Sequence, residues 1–406
     1  MIRSDAPDVR LDRAAVARVM ESKARAEIAA ARGRSGEART LPPGPWADGM
    51  AMGEEGLGLD SLERLWLAAA FNEMTHLDAA GEAEALLDRP VWGAWLDLVE
   101  AAWTRPGAEV TFATSGSTGA PKRCTHALAD LAAEVEVLAD LFADRSRIAA
   151  LAPAHHIYGF LFTALLPARL GVPVIDSLGL SPATLRDSLS DGDLLVSFPD
   201  RWSFLERSLA RFPAGVVGAT STAPCPTWLK EALIAKGLSG LVEIYGSSET
   251  AGIGARRWPE EAYTLFPLWT PLDPSTAPAP ATLVRSTGRT AVTMDRLSFS
   301  SPRQFTVTGR VDEAVQVGGV NVFPGEVAAL LRRHPGVREA VVRPMRPEEG
   351  ARLKAFVVPA DGTALDALER GLQAFIDREL PAPARPKALA FGAVLPRTDA
   401  GKLADW

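Results

Sequence analysis

A stretch rich in glycine and hydroxyl residues occupies positions 114–122 and reads TSGSTGAPK, directly after the strand-like run EVTFA. Its two glycines let the backbone approach a ligand closely, and its hydroxyl and N–H groups supply hydrogen-bond donors. Lys122 adds a positive charge that suits phosphate oxygens. The spacing differs from the Walker A and dinucleotide-binding patterns. The stretch predicts a phosphate-binding loop, with a plain Gly/Ser turn as the alternative for this segment alone.

Three further segments follow in the order YGSSETAG (245–252), TGRVDEAVQVGGVNVFPGE (308–326) and LPRTDAGKL (395–403). With the loop at 114–122, they resemble the motifs of the adenylate-forming superfamily, which contains acyl- and aryl-CoA ligases, luciferases and the adenylation domains of peptide synthetases. The resemblance extends from residue 109 to the end of the sequence. It implies an α/β adenylate-forming ligase fold, with a large mixed α/β N-terminal domain and a mobile α+β C-terminal domain.

The resemblance implies an AMP-forming acid–thiol ligase that uses ATP and Mg²⁺. Oxide is a poor leaving group, so a carboxylate first attacks the α-phosphate of ATP and expels pyrophosphate. A thiol, of CoA or of a phosphopantetheine arm, then opens the acyl-adenylate and releases AMP. Charge develops on phosphate oxygens in the first step, and fixed donors, a cation and a metal ion stabilise it.

By resemblance, the loop and Lys122 hold the β- and γ-phosphates. Glu249 would bind Mg²⁺, which prefers hard oxygen ligands; an ordinary carboxylate at a helix start is the alternative. Ser248 stands where the family usually has Thr, and Tyr245 would lie against adenine. The nucleotide-binding residues implied in this way are Thr114, Ser115, Gly116, Ser117, Thr118, Gly119, Tyr245, Gly246, Ser248, Asp295 and Arg310.

The family commonly has Thr-Gly-Asp where this sequence has TMD, so Met294 replaces the Gly before Asp295. By resemblance Asp295 accepts the ribose hydroxyls, and a turn aspartate is the alternative. Asp312 matches the hinge of the C-terminal domain. Lys402 matches the catalytic lysine that reaches the nascent adenylate from that domain and leaves with it afterwards.

The segment AHHIYGF at 154–160 indicates the kind of acid. Amino-acid-activating domains have an aspartate there for the ammonium group, and its absence disfavours an amino acid. The His-Ile-Tyr stretch resembles aryl- and coumarate-CoA ligases, and it implies that His156 lies near the substrate carboxylate. A histidine in a core turn is the alternative. With Tyr158 and small residues at 218–222 and 246–248, we expect an aryl acid of the cinnamate or benzoate type.

The surrounding elements must position these groups. Helical spacing at 11–32, from 61 onward and at 91–103 predicts a small helical N-terminal segment. From residue 109, short β-branched runs alternate with helical patterns, which predicts a mixed α/β core. Two helices and three strands after residue 323 predict an α+β unit. The expected division is 1–105, 106–311 and 312–406.

The segment GLGLDSLE at 56–63 resembles the phosphopantetheine-attachment site of acyl carrier proteins, with Ser61 as the modified serine. Ser61 would then accept the acyl group made nearby. Alternatively, Asp60 and Ser61 only cap a helix. CoA is the first choice of acceptor, and a carrier, either Ser61 or a separate partner, is the second. A non-catalytic nucleotide-binding protein is the least favoured hypothesis, because the charged motif residues are all retained.

The composition limits the partners. A net charge of −7 and a pI near 5.5 provide no basic field for nucleic acid. The most apolar stretch is interrupted by Pro167, Arg169 and Pro173, so no membrane insertion is expected. Cys124 and Cys225 lie far apart, in no metal-ligand spacing. These features, with no signal-like start, predict a cytoplasmic protein.

Overall fold

The computed structural model describes residues 11–35, 40–81, 84–114, 122–310, 314–346, 348–350, 352–396 and 406. The first elements are helices, as the helical spacing predicts. At the start of the second, the Asp60 side chain accepts the N–H of Glu63, and the Glu63 carboxylate accepts the N–H of Asp60. This reciprocal capping explains why the helix begins there. The helices are α1 (Arg13–Ser35), α2 (Ser61–Thr75), α3 (Ala85–Asp88) and α4 (Trp92–Trp103).

A two-stranded antiparallel hairpin follows, formed by β1 (Glu109–Thr114) and β2 (Lys122–Ala127). Thr114 pairs with Lys122 at its open end, so the two ends of the predicted phosphate loop are neighbours across the hairpin. Strand β2 was not predicted. It is short and carries charged and polar residues, so its sequence lacks the apolar alternation that marks a strand.

An 11-stranded sheet forms the centre of the molecule, in the order β10-β11-β12-β13-β9-β8-β7-β6-β5-β3-β4. Its strands from β4 to β7 are parallel neighbours, whereas pairs from β7 to β10 are antiparallel. The parallel strands are β3 (Arg147–Ala150), β4 (Val174–Asp176), β5 (Asp193–Ser197), β6 (Val217–Thr220) and β7 (Gly240–Ser247). The antiparallel part adds β8 (Ala251–Arg257), β9 (Tyr263–Leu265), β10 (Trp269–Pro271), β11 (Ala279–Arg285), β12 (Thr290–Ser301) and β13 (Gln304–Arg310).

Helices connect and cover the parallel strands, which gives the mixed α/β architecture that the alternation predicts. They are α5 (Leu128–Leu141), α6 (Ile157–Phe160), α7 (Leu166–Leu170), α8 (Pro182–Ser188), α9 (Pro199–Ser208) and α10 (Thr227–Ala235). A π-helical turn, Leu161–Leu165, joins α6 to α7. Among the described helices, none combines the length and the apolar character needed to cross a bilayer.

The C-terminal elements have a core of their own, as expected for a separate α+β unit. The elements of this unit are β14 (Val315–Val317), β15 (Val320–Val322), α11 (Pro324–Leu331), β16 (Val337–Pro344), β17 (Leu353–Pro359), α12 (Leu365–Glu379) and β18 (Ala388–Phe391). Strand β17 coincides with the predicted run 353–359, and the other elements after residue 323 differ from the prediction by a few residues at their ends. The two short strands β14 and β15 were not predicted.

The N-terminal helices share one hydrophobic core with the large sheet. Trp103 of α4 packs edge-on against Phe160 with ring centroids 5.6 Å apart, and Phe160 contacts Phe112 of β1 at 5.5 Å. Within the helices, Phe71 packs against Trp95 at 5.4 Å. The aromatic contacts run from the helical segment into the sheet, so the segment supports the elements that carry the predicted site residues.

Candidate active site

The hairpin of β7 and β8 turns tightly at the motif YGSSETAG. Gly246 lies at a register shift between the strands, and a Cβ there would be 2.1 Å from the Ala251 carbonyl oxygen. Only glycine fits so close to backbone. Ala251 itself has a φ of 59°, in the left-handed region. The turn is therefore strained backbone, a frequent feature of functional sites, and it carries Ser248 and Glu249.

An ion pair joins the end of the phosphate loop to this turn. Lys122 Nζ lies 2.6 Å from Glu249 Oε1, although 127 positions separate the two residues in sequence. Burial alone would raise the pKa of Glu249, but the hydrogen bond from Lys122 and others hold the pKa below its ordinary value. The same hydrogen bond raises the pKa of Lys122. Both groups are therefore charged at neutral pH.

The two side chains remain 59% and 44% exposed, so a ligand can reach both. An ionised carboxylate beside a phosphate loop suits Mg²⁺, which proteins commonly bind through one or two carboxylates plus substrate phosphates. Among the described residues there is no group of three or more His, Cys, Asp and Glu side chains that could hold a metal by itself. Glu249 is thus fitted to share a metal ion with a bound phosphate.

Tyr245 lies on β7 just before the turn, and it contacts Asp295 of β12. The Tyr245 hydroxyl donates to Asp295 Oδ2 at 2.7 Å, and Arg310 Nη1 lies 3.7 Å from Asp295 Oδ1. Asp295 and Arg310 are cross-strand partners on β12 and β13. Met294 is 49% exposed, so its replacement of the family's glycine does not crowd this cluster. Asp295 keeps a carboxylate that could accept further hydroxyl groups.

Three side chains that the sequence reasoning missed hold the main chain of the turn. His126 Nε2 lies 2.7 Å from the Ser248 carbonyl oxygen, and Arg289 Nη2 donates to the Glu249 carbonyl oxygen at 2.7 Å. The fully buried Glu134 accepts the N–H of Gly252 at 2.8 Å, and burial raises the pKa of Glu134 to about 8. His126 lies four positions after Lys122 on a strand with alternating side chains, so the sequence could have indicated that His126 faces the same side as Lys122. The sequence around Arg289 and Glu134 contains no comparable indication.

His156 lies just before α6, and its ring is tilted by 41° relative to the ring of His155, with centroids 4.2 Å apart. Ser22 of α1 is hydrogen-bonded to His155 Nδ1 at 2.8 Å. Burial lowers the pKa of both histidines, to about 3 for His155, so both rings are neutral at pH 7. Arg18, also on α1, donates to the Thr163 carbonyl oxygen at 2.6 Å. Helix α1 therefore supports the segment that the sequence assigns to the acid.

Tyr158 is buried, and no described group hydrogen-bonds its hydroxyl with normal geometry. Within 218–222, Gly218 packs against Trp202 and Leu241, whereas Ser221 and Thr222 are accessible. Thr222 has a φ of 77°, a strained conformation for a β-branched residue. The accessible residues of this loop lie at the carboxyl end of β6, where open α/β sheets bind ligands.

The turn between β14 and β15 approaches this loop from the C-terminal unit. A Cβ built on Gly319 would lie 3.5 Å from Thr222 Oγ1, and one on Gly318 would lie 3.4 Å from Asp200 Oδ2. Ser115 to Gly119, Asp312 and Lys402 lie outside the described residues. Ser61 is exposed at the first position of α2, and Asp60, not Ser61, provides the cap.

The chain matches the family model of AMP-binding enzymes over residues 97–285 and that of the AMP-binding enzyme C-terminal domain over residues 326–402. It is 38% identical over 392 residues to a 4-coumarate–CoA ligase of Halorhodospira halophila, covering 96% of this chain and 98% of the relative. A 4-coumarate–CoA ligase of Rhodobacter capsulatus is 39% identical over 402 residues, which cover 96% of this chain and 100% of the relative.

Solved structures share the fold at low identity. An o-succinylbenzoate CoA synthetase of Bacillus subtilis gives a TM-score of 0.59 at 17% identity, over 79% of this chain and 72% of its own. An amide bond synthetase of Marinactinospora thermotolerans gives a TM-score of 0.58 at 19% identity, over 95% of this chain and 92% of its own. With the nearly full-length relatives and both family models, these likenesses place the chain in the adenylate-forming family of AMP-binding enzymes, as an AMP-forming acid–thiol ligase.

Proposed function

We propose that this protein converts an aryl carboxylic acid of the cinnamate or benzoate type into its CoA thioester through an acyl-adenylate. The observation that carries the proposal is the contact of 2.6 Å between Lys122 and Glu249, which joins the end of the phosphate loop to the YGSSETAG turn. A cation and an ionised carboxylate then stand together at the place where the phosphates of ATP would bind.

In the first step a carboxylate oxygen of the acid attacks the α-phosphorus, the bond to the bridging oxygen breaks, and pyrophosphate leaves. Lys122 and the N–H groups of the loop stabilise charge on the β- and γ-phosphates. The Glu249 carboxylate would hold Mg²⁺, which would neutralise phosphate charge when bound. Ser248, next to Glu249, would donate its hydroxyl to the α-phosphate. Lys402 would approach the same centre from the C-terminal unit.

Nucleoside binding is assigned to the cluster of Tyr245, Asp295 and Arg310. Tyr245 packs against Phe305 with ring centroids 5.4 Å apart, and its hydroxyl bond to Asp295 fixes the ring. A ring held in this way offers a flat face to adenine. The remaining acceptor capacity of Asp295 suits ribose hydroxyls, and Arg310 Nη1 lies 3.7 Å from the same carboxylate.

The acid is assigned to the segment with His156 and Tyr158 and to the loop with Thr222. The neutral ring of His156 can donate to the acid without a permanent charge beside it. The buried Tyr158 hydroxyl interacts with the Ser197 backbone but has no hydrogen-bond partner of normal geometry among the described residues, and a polar ring substituent would supply one. This favours a hydroxylated aryl acid, consistent with relatives named 4-coumarate–CoA ligases.

CoA is the proposed acceptor, and a carrier is the second candidate. One observation favours the second: Ser61 is exposed beside a face of α2 on which Leu62, Leu65 and Trp66 are 49%, 49% and 45% exposed. Incubation with CoA and a phosphopantetheinyl transferase, followed by intact mass, tests it; an unchanged mass removes Ser61 as a carrier. A cytoplasmic location is proposed on the basis of the ATP and CoA requirement and of the two free, buried thiols, Cys124 and Cys225.

The decisive experiment is acid-dependent exchange between pyrophosphate and ATP. The panel contains 4-coumarate, cinnamate, benzoate, 4-hydroxybenzoate, hexanoate and phenylalanine. We expect exchange with the aryl acids, faster with a ring hydroxyl than without, and formation of the matching CoA thioester. Exchange with phenylalanine alone, or with no acid on the panel, would overturn the proposal.

A further inference from the structure

Two successive carbonyl groups of the YGSSETAG turn are held by side chains from other elements. The Ser248 carbonyl oxygen accepts from His126 of β2 at 2.7 Å, and the Glu249 carbonyl oxygen accepts from Arg289 at 2.7 Å. Arg289 lies in the connection between β11 and β12, so the two donors come from positions 163 residues apart. We call His126 and Arg289 the carbonyl clamp.

The partners of His126 determine which of its ring nitrogens carries the proton. A carbonyl oxygen only accepts, so His126 Nε2 must carry a proton toward Ser248. Arg289 Nη1 lies 3.4 Å from His126 Nδ1 and can only donate, so Nδ1 is the acceptor. The neutral Nε2–H tautomer satisfies both contacts. His126 is 1% exposed, so its ring lies between the turn and Arg289, shielded from solvent.

Strand β2 connects the clamp to the phosphate loop. Lys122 and His126 are four residues apart on a strand and project to the same face. Lys122 contacts the Glu249 side chain at 2.6 Å, and His126 contacts the carbonyl oxygen of Ser248, the residue before Glu249. One rigid strand thus fixes the end of the loop and the metal-binding carboxylate relative to each other.

The turn needs such support because its backbone is strained. Ala251, two residues after Glu249, has a φ of 59°. Residues in this conformation persist only where their surroundings hold them. A carboxylate on a turn that could relax would lose its distance to the phosphates, and a displacement of about 1 Å at a reacting centre can cost about 10²-fold in rate.

We propose that His126 and Arg289 are positioning residues that fix Glu249 for Mg²⁺-dependent adenylate formation by holding the carbonyl oxygens of Ser248 and Glu249. The inference rests on the proposed function for the identity of the reaction. It adds two residues to the machinery, neither of which touches the acid, the nucleotide or the metal ion in the proposed arrangement.

Two variants of His126 separate positioning from packing. His126→Gln keeps an N–H donor at similar reach, whereas His126→Met keeps the length and removes the donor. We expect His126→Met to reduce acid-dependent pyrophosphate exchange about 10–100-fold and to raise the Mg²⁺ concentration for half-maximal ATP binding about 10-fold, as for other supporting contacts of metal ligands. His126→Gln should recover most of both quantities.

The control is His334→Met, which removes a histidine whose Nδ1 accepts from the Gly336 N–H in the C-terminal unit. It should leave exchange and Mg²⁺ dependence within about 2-fold, the range expected for a site remote from the chemistry. Thermal unfolding of all variants reports whether the fold survives, and Arg289→Gln provides a second test if His126→Met does not fold.

ATP binding is measured without acid, by calorimetry at varied Mg²⁺. It therefore tests whether the carbonyl clamp positions Glu249, even if the protein converts none of the acids. Absence of exchange in the unmodified protein would overturn the proposed function and not the clamp. Equal Mg²⁺ dependence in His126→Met and the unmodified protein, or equal losses in His126→Met and His126→Gln, would overturn the clamp.

Discussion

At the scale of single residues, the role proposed for the pair of Lys122 and Glu249 is in the chemistry of adenylate formation, and its effect on stability should be small. An ion pair this exposed is worth about 0–1 kcal/mol. Glu249→Gln keeps the size of the side chain and removes the charge, so we predict a loss of about 10²–10³-fold in acid-dependent pyrophosphate exchange with little change in Tm. Exchange kinetics and thermal unfolding measure the two quantities.

Glu73→Gln is the matched control for this prediction. Glu73 of α2 pairs with Arg123, which lies next to Lys122 on strand β2. Its replacement removes a partly exposed carboxylate that α2 holds against the residue next to Lys122, and it should leave exchange unchanged. An equal loss in both variants would mean that the hairpin depends on its surface charges as a whole, and would contradict a special role for Glu249.

Gly246 gives a prediction about stability. A Cβ at this position would meet the Ala251 carbonyl oxygen at 2.1 Å, so Gly246→Ala must displace backbone. We expect about 2–4 kcal/mol of destabilisation, typical of severe overpacking. Gly179→Ala is the control, because no described atom lies within 4 Å of a Cβ there. Urea unfolding of both variants tests the prediction, and equal midpoints would contradict it.

At the scale of elements, sequence patterns predicted those parts that local rules determine. Asp60 and Glu63 define the start of α2 through contacts three residues apart, and the apolar runs of the parallel strands reflect burial on both faces. Strand β2 was missed because its pairing partner, not its composition, makes it a strand. His126, Arg289 and Glu134 were missed because they reach the turn from 122, 40 and 118 residues away in sequence, distances at which one sequence gives no contact signal.

The contact between α1 and the segment proposed to bind the acid predicts a pH effect on stability. Burial lowers the pKa of His155 to about 3 in the folded protein, against about 6.5 when unfolded. The unfolded chain therefore binds the proton first as pH falls, and stability is lost between pH 6.5 and about 3.

His155→Gln removes this titration. We expect the unfolding free energy of the unmodified protein, relative to the variant, to fall by up to about 1.4 kcal/mol per pH unit below pH 6.5. Denaturant unfolding at pH 7, 6, 5 and 4.5 measures the difference. Parallel curves over this range would show that the ring is solvated, and that the contact with Ser22 does not isolate it from water.

At the scale of the whole molecule, the N-terminal helices and the sheet share a core, whereas the C-terminal unit has its own. A unit with an independent core can change position without disturbing the packing elsewhere. The proposed hinge at Asp312 and the proposed catalytic Lys402 both belong to this unit. Its turn at Gly318 and Gly319 approaches the loop that carries Thr222, next to the proposed acid site.

This approach predicts a selective effect on the second half-reaction. If the turn lies against the Thr222 loop while the thiol attacks, a large side chain at Gly319 should obstruct that arrangement and not the one used for adenylate formation. We expect Gly319→Leu to slow CoA thioester formation from preformed acyl-adenylate about 10-fold or more, through loss of a closed arrangement. Acid-dependent pyrophosphate exchange should stay within about 3-fold.

The control must separate obstruction from backbone strain, because Gly319 has a φ of 76°. Gly362 has a φ of 77° in the same unit, and no described atom lies within 4 Å of a Cβ built on it. Gly362→Leu carries the same strain without the neighbour, so it should lower stability by about 1–2 kcal/mol and spare both half-reactions. Equal slowing of thioester formation by the two variants would contradict the assignment of the turn to the thiol step, since strain alone would then account for the loss.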